Sequence, residues 1–314
     1  MRALSGIIDV HSHAILPIGQ QPPATPPEWS VEGTLALMDS HGIQAVILSV
    51  PDAANYLVGQ EARDVARRIN ETLAGIVSRH PKRFGAMATL PGRDIDAALG
   101  EMDYALDDLG MDGVGTSTSI NDLFLGEDYF DPWFAEMDRR AVTLFIHPAM
   151  TLAPSPDIGL NPSVFEFMFN STRMLANMVL SGAKERFSRI RMISTHAGGT
   201  LPFLRERVEI LATHFPLGRG REPLSKEQIR AGFASFYYDM TASTTPSQLH
   251  GLLDLVPPSQ LLIGFDIPYM PASTIAPTIS DIANFARFTD EDLRVMARDN
   301  PFRLYPTLKA RVGG

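Results

Sequence analysis

The sequence of 314 residues contains no cysteine. This absence excludes disulfide bonds, thiolate catalysis and metal sites built on cysteine sulfur. A metal site in this chain therefore has to use histidine, aspartate or glutamate ligands. Because 45% of the residues are hydrophobic, the chain can fill a large core without covalent cross-links.

An excess of positive charge is also missing. The 27 basic and 36 acidic residues leave a net charge of −9 without long runs of one sign, which argues against a nucleic-acid-binding surface. The sequence has no apolar run of the length needed to cross a membrane, and no signal-peptide pattern follows Met1. We therefore expect a cytoplasmic protein that has neither nucleic acid nor membrane among its partners.

Apolar segments with strand-like composition alternate along the chain with helix-like segments. Eight strands are predicted, at residues 7–13, 44–50, 83–90, 113–117, 142–146, 190–195, 236–240 and 261–265. Parallel neighbours need crossover connections, and helices between the strands supply them, so the pattern predicts an α/β protein with a (β/α)8 TIM barrel. We expect residues 1–314 to form one such domain. The alternative is a doubly wound open sheet, but no glycine-rich phosphate-binding fingerprint follows the first strand.

The segment after the first strand carries clear boundary signals. Residues 20–27 are too rich in proline for a helix or a central strand, so they predict a loop that leaves the strand end. Ser30 is expected to cap the first helix, and Gly42 is expected to end it.

Four of the eight histidines fall at predicted strand ends. His11 and His13 lie two residues apart at the end of the first strand, so both side chains can point to the same side. His147 ends the fifth strand, His196 the sixth and Asp266 the eighth. In a (β/α)8 barrel the active site lies at the carboxyl ends of the strands, so these five residues are expected to share one rim. A structural role would explain any one of these histidines, but it does not explain the joint pattern.

Three imidazoles and a carboxylate are a ligand set that suits zinc, with manganese and iron as the alternatives. A bound metal would polarise a carbonyl or phenolic oxygen, and a further histidine beside it could move a proton near neutral pH. No lysine ends the fourth or fifth strand, so a carbamylated lysine bridging two metals has no obvious source. We therefore predict a single metal ion.

Several motifs resemble the amidohydrolase superfamily. They are His-x-His at residues 11–13, His-Pro at 147–148, Thr-His-Ala-Gly-Gly-Thr-Leu-Pro-Phe at 195–203 and Gly-x-Asp-x-Pro at 264–268. The chain looks most like the branch that contains aminocarboxymuconate-semialdehyde decarboxylase, γ-resorcylate decarboxylase and 6-methylsalicylate decarboxylase, and the likeness covers nearly its whole length. The resemblance implies that His11, His13, His147 and Asp266 bind the metal. It further implies that His196 is the catalytic acid/base, with Asp266 beside it, and that the protein is a homodimer.

The reaction that the resemblance implies is a metal-dependent, non-oxidative decarboxylation of a small aromatic acid of the salicylate type, such as 6-methylsalicylate. Arg207 is expected to bind the substrate carboxylate and Phe165 to contact the ring. A solvated helix arginine is an equal alternative for Arg207, and a helix-core role is the somewhat favoured alternative for Phe165. The early-loop arginine of the aminocarboxymuconate-semialdehyde enzyme has no counterpart here, since no arginine occurs between Arg2 and Arg63, and by this resemblance a substrate less polar than a muconate diacid is favoured. The alternative function is a hydrolase, lactonase or hydratase of the same superfamily, because the same groups could activate water.

Overall fold

The computed structural model describes residues 4–18, 27–149, 159–215 and 221–313. Its main sheet has eight parallel strands, in the order β1-β2-β3-β4-β7-β8-β9-β10. These strands are β1 Ile7–His13, β2 Ile43–Ser49, β3 Phe84–Thr89, β4 Gly113–Ser117, β7 Thr143–His147, β8 Arg191–Ser194, β9 Tyr237–Asp239 and β10 Leu261–Leu262. A small antiparallel hairpin, β5 Ser119–Ile120 and β6 Leu123–Phe124, follows β4.

The first and last parts of the sheet meet. Ser12 pairs in parallel with Ile267, and the backbone N–H of Val10 donates to the carbonyl of Ile263 at 3.1 Å. These contacts bring the segment after β10 alongside β1 and nearly close the cylinder. The prediction of a (β/α)8 barrel is therefore confirmed.

Helices connect the strands and cover the outside of the sheet. They are α1 Val31–His41, α2 Gly59–Arg79, α3 Ile95–Asp103, α4 Asp131–Arg140, α5 Pro162–Leu180, α6 Ala183–Arg186, α7 Leu201–Leu211, α8 Lys226–Phe233, α9 Pro246–Leu253, α10 Ile275–Asn284, α11 Asp290–Arg294, α12 Asn300–Leu304 and α13 Pro306–Gly313. Within the described ranges, no helix combines the length and apolar character needed to span a membrane.

The predicted boundaries of the first helix are confirmed. The Ser30 side chain accepts a hydrogen bond from the backbone of Gly33 at 3.0 Å, and Gly42 ends α1 at a φ of 70°. The loop predicted just before it lies, for residues 20–26, outside the described part of the chain.

Two apolar layers hold the barrel together. The larger layer packs between the sheet and the surrounding helices. The smaller one fills the cylinder and is continued by side chains of the C-terminal helices α12 and α13 and the residue between them: Ile8, Val10, Ala45, Ile47, Met87, Phe145, Ile193 and Leu262, joined by Phe302, Leu304, Tyr305 and Leu308. The interior below the histidines is therefore a packed core rather than a channel.

Strand β1 contains a bulge between Asp9 and Ser12. Asp9 pairs with Val46 and Ser12 with Leu48, so three steps on β1 oppose two on β2. This extra residue changes the alternation of the strand: Val10 belongs to the interior apolar cluster, and the next side chain, His11, also contacts Phe145 inside the cylinder. The bulge thus lets one strand contribute both to the interior core and to the histidine pair above it.

Candidate metal centre

The five residues predicted to share a rim lie together. His11 and His13 end β1, His147 ends β7, His196 follows β8 and Asp266 follows β10, and all five are buried. The centroid of the His11 ring lies 5.2 Å from the ring centroids of His13 and His147 and 4.9 Å from that of His196. The carboxyl ends of the strands therefore form one compact cluster, which we call the histidine cluster.

Four atoms of the histidine cluster are buried and have no hydrogen-bond partner among the described residues. They are Nε2 of His11, His13 and His147, and Oδ1 of Asp266. Nε2 of His13 lies 3.0 Å from Oδ1 of Asp266, and Nε2 of His11 lies 3.5 Å from the same oxygen. Leaving polar atoms buried without partners is costly, and a divalent cation would satisfy all four at once. These atoms belong to the four residues that were expected to be the metal ligands.

A second set of ligand atoms could hold a metal ion at the same position. One ligand atom each from His11, His147, His196 and Asp266 can be chosen so that all lie within 4.8 Å of one another. Nε2 of His196 is, however, 3.9 Å from Oδ2 of Asp266 and is not among the unpartnered buried atoms. The two sets share His11, His147 and Asp266 and differ in whether His13 or His196 supplies the fourth ligand atom.

The electrostatics of the histidine cluster favour cation binding. Burial lowers the pKa of His147 well below its ordinary value, and positive charge on His13 and His11 would lower it further. Burial also lowers the pKa of His196, and charge on His11 acts in the same direction. Burial alone would raise the pKa of Asp266, but the neighbouring His11 and His13 outweigh it and hold that pKa well below its usual range. A neutral His147 beside an ionised Asp266 is the combination of protonation states that binds a divalent cation.

The backbone at two of these residues adopts an unusual conformation. His196 has a φ of 50°, and Ala197, Gly198 and Gly199 continue at 59°, 72° and 68°. A Cβ on Gly199 would lie 2.1 Å from the carbonyl oxygen of Met168, so only glycine fits there. Asp266 has a φ of 56°. Such left-handed conformations at non-glycine residues cost free energy and concentrate at functional sites.

Asp239, at the end of β9, was not singled out from the sequence. Its Oδ2 lies 2.9 Å from Nδ1 of His11, and its Oδ1 accepts the backbone N–H of His196 at 2.9 Å. Burial lowers the pKa of His11, but the carboxylates of Asp239 and Asp266 outweigh it, so this pKa is raised. His13 has a comparable partner, because its Nδ1 lies 3.1 Å from the hydroxyl of Ser49.

The two predicted substrate contacts lie apart from the histidine cluster. Arg207 is exposed on α7, and Phe165 is 45% exposed near the start of α5, where its ring packs on Phe169. Among the described residues, neither one makes a hydrogen bond, ion pair or ring contact to the cluster. Instead, the ring of Phe167 lies 6.1 Å from that of His147 and the ring of Tyr269 lies 5.2 Å from that of His13. The roles of Arg207 and Phe165 stay predictions.

The fold and the site define a class of protein: a (β/α)8 barrel with a candidate metal centre of histidine and aspartate at the carboxyl ends of its strands. The chain belongs to the amidohydrolase family, which it matches over residues 8–307. This match confirms the family predicted from the sequence motifs.

Two relatives of this chain indicate a branch within the family. The chain is 31% identical over 324 residues to a decarboxylase of Aspergillus niger named yanB, and the match covers 95% of this chain and 87% of that protein. It is 28% identical to the 6-methylsalicylic acid decarboxylase acuB of Aspergillus aculeatus, and the match covers 90% of this chain and 88% of that protein. The branch of the family predicted from the sequence is therefore confirmed.

A solved structure supports the fold. The dihydroxybenzoic acid decarboxylase of Polaromonas sp. JS666, crystallised with manganese and the inhibitor 2-nitroresorcinol, superposes with a TM-score of 0.75 at 19% identity. The superposition covers 96% of this chain and 97% of that one.

Proposed function

We propose that this protein is a metal-dependent, non-oxidative decarboxylase of a small aromatic carboxylic acid of the salicylate type, with 6-methylsalicylate as the first candidate. The observation that carries the proposal is the set of four unpartnered buried atoms beside a further buried imidazole, His196. The decarboxylase names of the relatives in two Aspergillus species support it.

In the proposed site His11, His13, His147 and Asp266 hold one divalent ion. Three imidazoles and a carboxylate suit zinc, and the manganese in the Polaromonas enzyme makes manganese the second metal to test. A divalent ion in this position supplies an electrophile for the substrate oxygen next to the reacting carbon. We also propose that the protein is a homodimer.

The chain's own part in the reaction is to orient the substrate and to move a proton. In the overall reaction the ring carbon that bears the carboxylate gains a proton, and its bond to the carboxylate carbon breaks. The electron pair of that bond returns to the ring as CO2 leaves. Nε2 of His196 is the proposed proton donor. Because burial lowers the pKa of His196, its protonated form is a stronger acid than an ordinary imidazolium, although it is the minority form at neutral pH.

Aromatic side chains beside the histidine cluster favour an aromatic substrate. Phe167 and Tyr269 approach the histidine cluster on the sides of His147 and His13. Apolar rings of this kind would stack on or against a benzoate ring and exclude water from it. A small benzoate is therefore a better match to this site than an extended diacid.

The test is to load the purified protein with zinc or with manganese and to measure CO2 release from 6-methylsalicylate and from a panel of other salicylates. A parallel panel of lactones tests the hydrolytic alternative. CO2 release that depends on the metal is the expected result. Turnover of a lactone without CO2 release from any acid would overturn the proposal.

A further inference from the structure

Asp239 contacts two different parts of the histidine cluster with its two oxygens. It is fully buried at the end of β9. Oδ2 faces Nδ1 of His11 at 2.9 Å, while Oδ1 accepts the backbone N–H groups of His196 at 2.9 Å and Thr241 at 3.0 Å. One carboxylate thus joins a proposed metal ligand to the proposed proton donor.

The contact to His11 sets which ring nitrogen carries the proton. A carboxylate only accepts hydrogen bonds, so Nδ1 of His11 has to be the donor. In the neutral imidazole, which is the form that binds a metal, Nε2 then presents a lone pair, and this is one of the four unpartnered buried atoms. A carboxylate behind a ligating histidine fixes the tautomer and the ring orientation in this way.

The contact to His196 acts on the backbone. The chain turns sharply here, with positive φ angles at four successive residues from His196 to Gly199. The turn is also tightly enclosed, because a Cβ on Gly198 would lie 2.8 Å from the ring of Tyr238. A hydrogen bond at the first residue of this turn holds the conformation that aims the imidazole of His196 at the cluster.

We infer that Asp239 is a positioning residue that couples the metal site to the proton donor: one oxygen fixes the tautomer of His11, and the other fixes the turn that presents His196. The inference deepens the proposed function and depends on it for the proton-transfer role. Ser49, whose hydroxyl contacts only the His13 side of the site, lacks this double connection and provides a matched control.

Two substitutions separate the two contacts. In Asp239→Asn the carbonyl oxygen can still accept from the backbone of His196 and Thr241, but the amide then presents its NH2 group to His11 and favours the wrong tautomer. In Asp239→Ala both contacts are lost. Both variants should therefore bind zinc about 10- to 100-fold more weakly, as measured by competition with a chromogenic chelator.

At saturating zinc the variants should differ. Asp239→Asn should regain most of the wild-type kcat, whereas Asp239→Ala should remain about 100-fold below it with KM close to that of wild type, because only this variant releases the turn. Ser49→Ala should bind zinc more weakly and recover fully. Full recovery of Asp239→Ala at saturating zinc would overturn the coupling to His196.

Two measurements need no substrate, so they separate this inference from the proposed reaction. Hydrogen–deuterium exchange of residues 195–200 should accelerate in Asp239→Ala and stay near wild type in Asp239→Asn. In wild-type protein labelled with 15N-histidine, His11, assigned by comparison with His11→Gln, should carry its proton on Nδ1. Finding that proton on Nε2 overturns the inference even if neither Asp239 variant folds. If wild-type protein releases no CO2 while both measurements agree with expectation, only the proposed reaction fails.

Discussion

His13 and His196 are both buried imidazoles of the histidine cluster, but their surroundings differ. Nε2 of His13 lies 3.0 Å from Oδ1 of Asp266 and is one of the buried atoms without a hydrogen-bond partner in the described part of the chain, whereas Nε2 of His196 lies 3.9 Å from the other oxygen. We predict that His13→Ala loses the metal. His196→Asn should keep the metal and lose turnover by a factor of about 10²–10⁴, the usual contribution of a general acid.

Elemental analysis of each variant, combined with the CO2 assay, checks this pair of expectations. The role of His196 as proton donor is wrong if His196→Asn works at a near-normal rate. Its exclusion from the ligand set is wrong if that variant loses the metal as His13→Ala does.

A second prediction concerns two phenylalanines on α5. The ring of Phe167 lies 6.1 Å from that of His147, while Phe165 is 45% exposed and packs on Phe169. Removal of a ring that contacts substrate and transition state alike raises KM and changes kcat little. We therefore expect Phe167→Ala to raise KM for the aromatic acid and Phe165→Ala to leave it unchanged. The reverse ranking in steady-state assays would favour the sequence-based assignment of Phe165.

The residues of the cluster differ in how far they could be predicted. Five residues follow or end predicted strands: His11, His13, His147, His196 and Asp266. Because a barrel brings the carboxyl ends of all its strands to one face, this pattern alone predicts that the five lie close together. Asp239 also ends a strand, but nothing local distinguishes it from an ordinary aspartate. Its role is visible only from distances to atoms far away in the sequence.

At the scale of the element, Asp9 makes two hydrogen bonds within the bulge in β1. Its Oδ1 accepts the backbone N–H of His11 at 3.0 Å, and its Oδ2 accepts the hydroxyl of Ser12 at 2.6 Å. Asp9→Ala would leave both donors buried without partners, at a cost of about 1–3 kcal/mol for such a group. We predict a lower melting temperature and a reduced metal content, because the bulge orients the histidine pair.

Ser12→Ala is the matched control, since it removes one donor of the same pair and leaves the backbone contact of His11 in place. It should have the smaller effect in both thermal melting and elemental analysis. Unchanged metal content in Asp9→Ala would mean that His11 and His13 hold their orientation without the Asp9 hydrogen bonds.

The positions of the strands could be predicted from apolar runs in the sequence, and all eight predicted strands are present. The eighth was predicted to reach Phe265, but the structure ends β10 at Leu262. The chain beyond it has to turn so that Asp266, at a φ of 56°, reaches the cluster, and this interrupts regular pairing. The hairpin β5–β6 and the β1 bulge were not predicted, because pairing partners and register depend on neighbouring strands rather than on local composition.

At the scale of the whole molecule, the C-terminal helices close the end of the barrel opposite the histidine cluster. Arg311 of α13 contacts both oxygens of the buried Asp112, at 3.1 and 2.8 Å, and also the carbonyl of Pro81 at 3.2 Å. Arg311→Met would leave that carboxylate buried without its charged partner. Since the Arg311 side chain is 20% exposed, the expected loss of stability is about 3 kcal/mol, at the lower end for buried pairs.

Chemical denaturation measures this loss, and Arg298→Met serves as the control because Arg298 makes an exposed hydrogen bond to Gln44. Kinetic constants of both variants should match wild type at a temperature where they are folded. A changed KM in Arg311→Met would show that the two ends of the barrel are not independent.

Metal removal should also change global stability. A ligand that binds only the folded state stabilises it by about 2.7 kcal/mol when present at 100 times its dissociation constant. Treatment with a chelator should therefore lower the melting temperature, and readdition of zinc or manganese should restore it. An identical melting curve with and without the metal would argue that the four unpartnered atoms do not bind one.

The closure of the barrel between β1 and the segment after β10 has a consequence for biosynthesis. His11 is translated 255 residues before Asp266, whose backbone N–H its carbonyl accepts at 2.6 Å in the folded protein. No partly synthesised chain that stops short of Asp266 can complete the ligand set. Metal loading is thus expected to follow translation of the last strand, so a nascent chain should not trap the ion in an incomplete site.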